Sequence, residues 1–421
     1  MSESQNSIYA TAKKIGHHLK AYYRFNESIK NYSNHVKECR KEVGSRKKIV
    51  FLVVFPEAWN SLKSIYSDAM RRTDVDVYLV AAPRDISKYA EDIDIRTMQN
   101  DAYDFFVESG IEAIKANSEK DWFDIKNLNP DYVIYTRPYI PYYPEEYRSY
   151  NVCAYAKVIY IPYAYSMLSD GLTVLPEDFI LSTHKVYLAN ESRKYECEQY
   201  YPRYIRENNK RFEYLGFPRF DLLIDDKKAD DNAKFTMAWL PRWTTGEGYK
   251  NNKGTHFLTY YKEFLEYAQK HDDVNLIIRP HPSMFTNFVE KGIMTEDEVN
   301  NFKLECQKCG NVFIDQKKDY FDTIKAADAL VADYTSLIAE YFMTGKPIVY
   351  CDTADGLNPE GNTICSNLYR ADSFDEIITQ MEKIKNGSDD EKNHREKLIK
   401  ELLPAGCGNI GREILESIIN S

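Results

Sequence analysis

The sequence predicts an α/β protein built from two doubly wound domains, with a helical extension in front of them. Three observations carry this. The chain has 421 residues, more than one hydrophobic core usually supports. Short apolar runs rich in β-branched residues alternate with helix-patterned segments, first from residue 49 to about 190 and again from residue 235 onward. Between the two series lies a charged, turn-like stretch, Asp225-Asp226-Lys227-Lys228-Ala229-Asp230-Asp231, which reads as a linker. The expected division is residues 1–48, 49–225, 226–400 and a final helix in 401–421.

Residues 1–48 hold eleven Lys and Arg against four acids, an excess of seven in a chain whose formal net charge is −10. Ile8, Ile15, Leu19, Tyr22, Tyr23 and Ile29 recur at near-helical spacing, so an amphipathic basic extension is expected. Such a segment can rest on an anionic membrane surface, or it can pack on its own domain with a solvated basic face. Strands follow at residues 49–55, 75–80, 131–136, 157–161 and 185–189, with Ser61 as the expected cap of the helix after the first. In the second series, residues 235–240, 276–278, 329–332 and 348–350 read as strands. Residues 260–271, 337–343, 374–385, 390–403 and 412–419 read as helices, and residues 246–254 as a loop.

The composition is 43% hydrophobic and 29% charged, and no run of about 18 apolar residues exists to cross a membrane. The first residues lack the apolar core of a signal peptide. Eight cysteines in so long a chain do not make a disulfide framework. A cytoplasmic protein is therefore expected, with the inner face of the cell membrane as an open alternative through the basic extension. Periodicity leaves open a two-domain transferase with a central cleft and a tandem binding module.

Two strand ends draw attention because ligands of open α/β sheets sit at the carboxyl ends of the strands. In Arg279-Pro280-His281-Pro282 the prolines end the strand and present a guanidinium fork suited to phosphate oxygens. The His281 imidazole beside it titrates near neutral pH and can give a proton to a leaving phosphate. In Asp333-Tyr334-Thr335-Ser336 the hydroxyls and free amides at a helix start suit an anion, although capping alone also explains them. Glu340, one turn on, is placed to reach ribose hydroxyls. Pro241-Arg242-Trp243-Thr244-Thr245 adds a third strand end with an Arg and hydroxyls. Asp333, Thr335, Ser336, Arg242, Thr244 and Glu340 thus join Arg279 as candidate donor-binding residues, with His281 as the candidate acid. In the first domain, Glu57 and Asp170 are the candidate proton acceptors. Neither a P-loop, a dinucleotide fingerprint nor a nucleophile elbow is present. Asp92-Ile93-Asp94 is an ambiguous metal motif. A mechanism that needs no metal or cofactor, using Arg, His and backbone dipoles for charge, is the simpler expectation.

Together, Arg279-Pro280-His281-Pro282, Asp333-Tyr334-Thr335-Ser336 with Glu340, and Gly345-Lys346-Pro347-Ile348 resemble the CDP-glycerol glycerophosphotransferases of teichoic acid and capsule synthesis. Pro241-Arg242-Trp243 and Gly216-Phe217-Pro218-Arg219-Phe220-Asp221 support the resemblance. It implies a GT-B arrangement of two Rossmann-like domains facing across a cleft, the second binding a CDP-polyol. It also implies that Arg279, His281, Thr335 and Ser336 contact the pyrophosphate. Glycerol phosphate would pass to a hydroxyl of a cell-surface glycopolymer or its lipid-linked precursor, and no nucleic-acid partner is expected. A GT-B glycosyltransferase using a nucleotide sugar is the alternative, and a non-catalytic binding protein on the same scaffold is a third reading. One motif departs from the family: its first-domain Trp-His-Gly turn corresponds here to Ile161-Pro162-Tyr163-Ala164-Tyr165-Ser166, without His.

Overall fold

A computed structural model describes residues 46–86, 94–169, 175–201, 211–223, 234–245, 254–317, 320–351, 356–403, 406 and 408–421, together with Tyr23, Glu27 and Lys30. The last three are helical and exposed; the rest of the basic extension, the linker and most of the 246–254 loop lie outside the described residues. The described residues divide into two compact units. The first comprises those within Met1–Ala164, Gly171–Arg219 and Asn409–Ser421, and the second those within Tyr165–Asp170 and Phe220–Gly408.

The first unit is a seven-stranded sheet of β1 (Lys47–Val53), β2 (Val75–Ala81), β3 (Ile114–Lys115), β4 (Tyr132–Tyr135), β5 (Lys157–Tyr160), β6 (Lys185–Tyr187) and β7 (Arg211–Glu213). Its order is β3-β2-β1-β4-β5-β6-β7, and every pairing is parallel. The central strands are buried on both faces: Ile49, Val50, Phe51 and Leu52 are completely inaccessible, as are Val133, Ile134 and Tyr135. The expected cap at Ser61 is not one. A tight 3-10 turn, Pro56–Ser61, intervenes, the helix begins at Lys63, and the buried Ser61 hydroxyl accepts from Arg219 Nε at 3.0 Å. The last helix, Ile410–Ile419, also belongs to this unit and packs on the helix Lys63–Met70 at Gly411. A Cβ at Gly411 would lie 2.6 Å from Ser64 Oγ and 2.8 Å from the Ile65 amide nitrogen.

The second unit is a six-stranded parallel sheet of β8 (Phe235–Leu240), β9 (Val274–Ile278), β10 (Val312–Ile314), β11 (Ala329–Ala332), β12 (Ile348–Tyr350) and β13 (Tyr369–Arg370), in the order β10-β9-β8-β11-β12-β13. The helix Phe257–Lys270 covers one face, where Phe264 stacks on Trp239 at 4.2 Å. The Gly345-Lys346-Pro347 turn has a structural task. Gly345 adopts φ +75°, and Lys346 Nζ donates to the carbonyls of Lys325 and Ala327, both at 2.8 Å, which closes the end of the helix Phe321–Ala326. Strands β3, β7, β10 and β13 are unanticipated by the sequence reading. All four are sheet edges of two or three residues, too short for a period to show.

Candidate active site

In each sheet the chain winds outward in two directions from a central pair, β1 and β4 in the first unit and β8 and β11 in the second. The strand ends at such a switch point leave a crevice where ligands bind. In the second unit this crevice is organised by Asp333, immediately after β11 and completely buried. Its Oδ2 accepts the Arg242 amide at 2.9 Å, the His256 amide at 3.0 Å and the Thr255 hydroxyl at 3.3 Å. Its Oδ1 faces His256 Nδ1 at 2.7 Å. One carboxylate thereby fastens the end of β8 and the start of the helix Phe257–Lys270 to the end of β11. That hydrogen bond raises the His256 pKa above its ordinary value against the opposing effect of burial, and the ring stacks on Tyr260 at 5.5 Å. Proton donation from Nδ1 to Asp333 directs Nε2 away from the carboxylate. Asp333, a candidate donor-binding residue, is wholly enclosed and anchors the strand ends and the helix start around it.

Arg242 leaves β8 into this crevice. Its Nε donates to Thr244 Oγ1 at 2.9 Å, and its guanidinium lies 5.1 Å from the centre of the Tyr334 ring. Nη1 is buried with no hydrogen-bond partner, and burial pushes the Arg242 pKa down. Arginine keeps its proton in proteins, so the shift expresses a desolvated cation with an unsatisfied donor, a state that a phosphate oxygen would relieve. Thr244, expected at the donor, is itself buried and serves to orient Arg242.

The His281 turn is joined to Arg242 through Trp243, whose ring stacks on the imidazole at 5.4 Å, while Asn287 Nδ2 donates to the Trp243 carbonyl at 3.0 Å. The Ser283 amide donates to His281 Nδ1 at 3.1 Å, which leaves the proton of the neutral ring on Nε2. Crowding by its neighbours lowers the His281 pKa although the residue's edge is exposed, so the neutral, Nε2-protonated form dominates near pH 7. Arg279, a candidate donor-binding residue, has protein partners at the strand end. Its guanidinium pairs with Asp315, donates to the Lys317 carbonyl at 2.9 Å and lies 5.7 Å from the Tyr320 ring. Burial opposes ionisation of Asp315, but Thr323, the Lys317 amide and Arg279 together hold its carboxyl below the usual range.

Thr335 and Ser336 stand half-buried at the end of β11. Ser336 occupies the cap position of the helix Leu337–Phe342 without a side-chain cap bond, and Thr335 Oγ1 makes only a long contact of 3.4 Å with the Leu337 amide. Capping therefore does not consume these hydroxyls. Glu340, the candidate ribose contact, is buried and accepts the Tyr320 hydroxyl. The helix turns that face inward.

In the first unit, Glu57 follows β1 and is exposed, with Oε1 accepting from Arg137 Nη2 at 3.1 Å. Arg219, from the Gly216-Phe217-Pro218-Arg219 turn, donates through Nη2 to the Glu57 carbonyl at 3.1 Å and so fixes the backbone that carries this carboxylate. Asp170 lies outside the described residues, as does most of the Asp92-Ile93-Asp94 motif. A separate cavity of about 750 Å³, lined by Tyr23, Glu27, Trp122, Tyr150 and Tyr155 among others, sits beside the segments that lead into β4 and β5.

His256 escaped the sequence reading. Its only signal was Gly254-Thr255-His256 at a helix start, directly after a Gly/Asn/Lys-rich loop. A ring nitrogen of His256, a carboxylate oxygen of Asp333 and Cys351 Sγ lie within 4.8 Å of one another, the one such trio among the described residues. Burial and the Asp333 charge hold the Cys351 thiol protonated, and Nδ1 is committed to Asp333, so the trio is a hydrogen-bonded dyad beside a thiol.

Comparison with known families matches residues 183–401 to the family described as CDP-Glycerol:Poly(glycerophosphate) glycerophosphotransferase. No curated protein matches this chain in sequence. Among solved structures, a UDP-GlcNAc 2-epimerase from Neisseria meningitidis bound to UDP-GlcNAc aligns with a TM-score of 0.56 and 13% identity, over 89% of this chain and 100% of its own. A putative UDP-N-acetylglucosamine 2-epimerase from Listeria monocytogenes gives 0.55 and 11%, over 89% and 96%. A structure of the wall teichoic acid polymerase TagF with CDPG gives 0.51 and 13%, over 96% and 97%. At these identities the structural likenesses speak for the fold, which is of the GT-B type; the family match speaks for the chemistry.

Proposed function

This chain belongs to the CDP-glycerol:poly(glycerophosphate) glycerophosphotransferase family, and we propose that the β8–β11 switch point of its second unit holds the two phosphates of the CDP-linked donor. The family's reaction moves glycerol phosphate from CDP-glycerol to a poly(glycerophosphate) chain, and we propose a cell-wall polymer as that chain. The observation that supports the placement is Arg242 Nη1, a buried donor on a desolvated cation with nothing to bond, at the carboxyl edge of the sheet.

In this reading the acceptor hydroxyl attacks the phosphorus that bears glycerol, and the bond from that phosphorus to the CMP oxygen breaks. Arg242 and the His281 Nε2–H face the oxygens on which charge develops as CMP leaves, and Thr335 and Ser336 donate from the opposite strand end. Asp333, Thr244 and Trp243 act through the residues they hold. The protonated tendency of His256 adds positive charge beside Arg242. Glu57 is our candidate for the base that takes the hydroxyl proton, with Asp170 the second. We further propose that the basic residues 1–48 bring the enzyme to an anionic membrane surface where a lipid-linked acceptor resides; among the described residues no helix is long and apolar enough to cross a membrane.

The test is CMP release from CDP-glycerol in the presence of oligo(glycerol phosphate). His281→Ala should lower turnover about 10²–10⁴-fold, and unchanged turnover removes His281 from the mechanism. CDP-glycerol at about 100 Kd should stabilise the protein by about 2.7 kcal/mol. Stabilisation by UDP-sugars and none by CDP-glycerol would instead select the nucleotide-sugar reading.

A further inference from the structure

The donor accounts for one of the two switch points. The other, between β1 and β4 of the first unit, carries its own group of cations. Glu57 follows β1, Arg84 follows β2, Arg137 and Tyr139 follow β4, and Tyr163 follows β5, so parallel pairing brings all of them to one edge. Arg137 is at its centre. Its guanidinium carbon lies 4.4 Å from the centre of the Phe55 ring and 4.2 Å from that of Tyr163. Two aromatic faces against a guanidinium fix its plane and displace the water that would solvate its charge. Nη2 bonds Glu57 at 3.1 Å, and Nε is buried with no hydrogen-bond partner.

Arg84, exposed, lies 5.9 Å from the same Phe55 ring, so two guanidinium groups share one aromatic residue. The acids do not balance them. Glu57 is half-exposed with a side-chain accessibility of 54%, and Asp85, next to Arg84, is buried in an ion pair with Arg148 at 3.3 Å. The Tyr139 and Tyr163 hydroxyls, 3.3 Å apart, add polar groups beside Arg137. An edge with two arginines, aromatic faces and phenol hydroxyls suits a ligand that alternates phosphate with polyol.

We propose that Arg137, assisted by Arg84, is the subsite for a phosphodiester of the acceptor chain, the one nearest the hydroxyl that is extended. The inference rests on the transferase reading above and adds what recognises the acceptor. The terminal glycerol hydroxyl and its own phosphodiester are a few bonds apart, and Glu57 is bonded to the same guanidinium that grips the phosphate. Holding the phosphate on Arg137 therefore presents the hydroxyl to the candidate base. The residues that hold the donor belong to the second unit, so the two substrates are read by separate arginines.

The experiment compares wild type, Arg137→Gln and Arg137→Lys with three measurements. With saturating CDP-glycerol, the KM for oligo(glycerol phosphate) should rise about ten- to a hundred-fold in R137Q and by less in R137K, which keeps the charge and loses the fork. The KM for CDP-glycerol should not move. With uncharged glycerol as acceptor, which has no phosphodiester to lose, the loss in R137Q should be clearly smaller than with oligo(glycerol phosphate), and what remains reports the bond from Arg137 to Glu57. An equal loss with glycerol, or an equal rise in donor KM, would show that Arg137 only supports the fold, and the proposal falls. Calorimetric titration of oligo(glycerol phosphate) into wild type and R137Q reads the subsite without turnover. Weaker binding to R137Q supports the subsite even if no CMP is ever released, an outcome that would sink the transferase reading alone. Equal binding overturns the subsite.

Discussion

Replacing Asp333 with Asn tests the geometry of the second unit most directly. The wild-type carboxylate is completely buried and meets the Arg242 amide, the His256 amide, the Thr255 hydroxyl and His256 Nδ1. Asn keeps the shape but has one acceptor oxygen, and its NH₂ points a donor at groups that are themselves donors. Breaking a buried charged pair by altering one partner costs about 3–5 kcal/mol. At about 2–4 °C per kcal/mol for a unit of this size, the melting midpoint should fall by roughly 6–20 °C. Thermal denaturation followed by tryptophan fluorescence reads this, since Trp239 and Trp243 flank the site. The same variant should return His256 toward its ordinary pKa of 6.5, because the hydrogen bond to Asp333 is the main cause of its upward shift. A raised folded pKa contributes stability that is complete below about pH 6.5 and is lost as pH climbs through the folded value. The stability gap between wild type and D333N should accordingly narrow across that interval. Wild-type melting together with an unmoved His256 titration, followed by NMR, would refute the claim that Asp333 holds the site together.

Two further outcomes follow from other parts of the chain. Gly411→Ala forces a methyl to within 2.6 Å of Ser64 Oγ and 2.8 Å of the Ile65 amide nitrogen, so denaturation should show a loss of about 1–3 kcal/mol; wild-type stability in that variant would mean that the two helices do not approach so closely. Deleting residues 1–45 should weaken co-sedimentation with anionic vesicles, since each basic side chain near such a surface contributes about 1 kcal/mol, and equal sedimentation of the two chains would assign the basic face to ordinary solvation.

The sites follow a pattern in what could be read early. Arg242, Arg279 and His281 were visible because a strand interrupted by proline next to a cation is an unusual local event. Their partners were not. Arg279 is tied to Asp315 and to the Lys317 carbonyl, 36 and 38 residues away, and Glu340 faces Tyr320 inside the fold. Thr244 was read as a ligand contact but orients Arg242. For Arg279 and Glu340 the residue type was legible and its direction was set by a contact distant in sequence; for Thr244 the partner is two residues away, and its burial decided its direction.

What the sequence determined by itself was the alternation of buried strands and helices, hence two parallel sheets, and the strand ends at which the candidate residues stand. These rest on local causes: uninterrupted apolar runs, the lost amide and fixed φ of proline, and hydrophobic spacing along a helix. The tertiary structure decided the four short edge strands, the burial of Asp333 under His256 and Arg242, the return of the helix Ile410–Ile419 to the first unit, and the seating of Arg137 against Phe55 and Tyr163. Each of these depends on which strands become neighbours. Neighbour order is set by packing the whole sheet, and no window of sequence contains it.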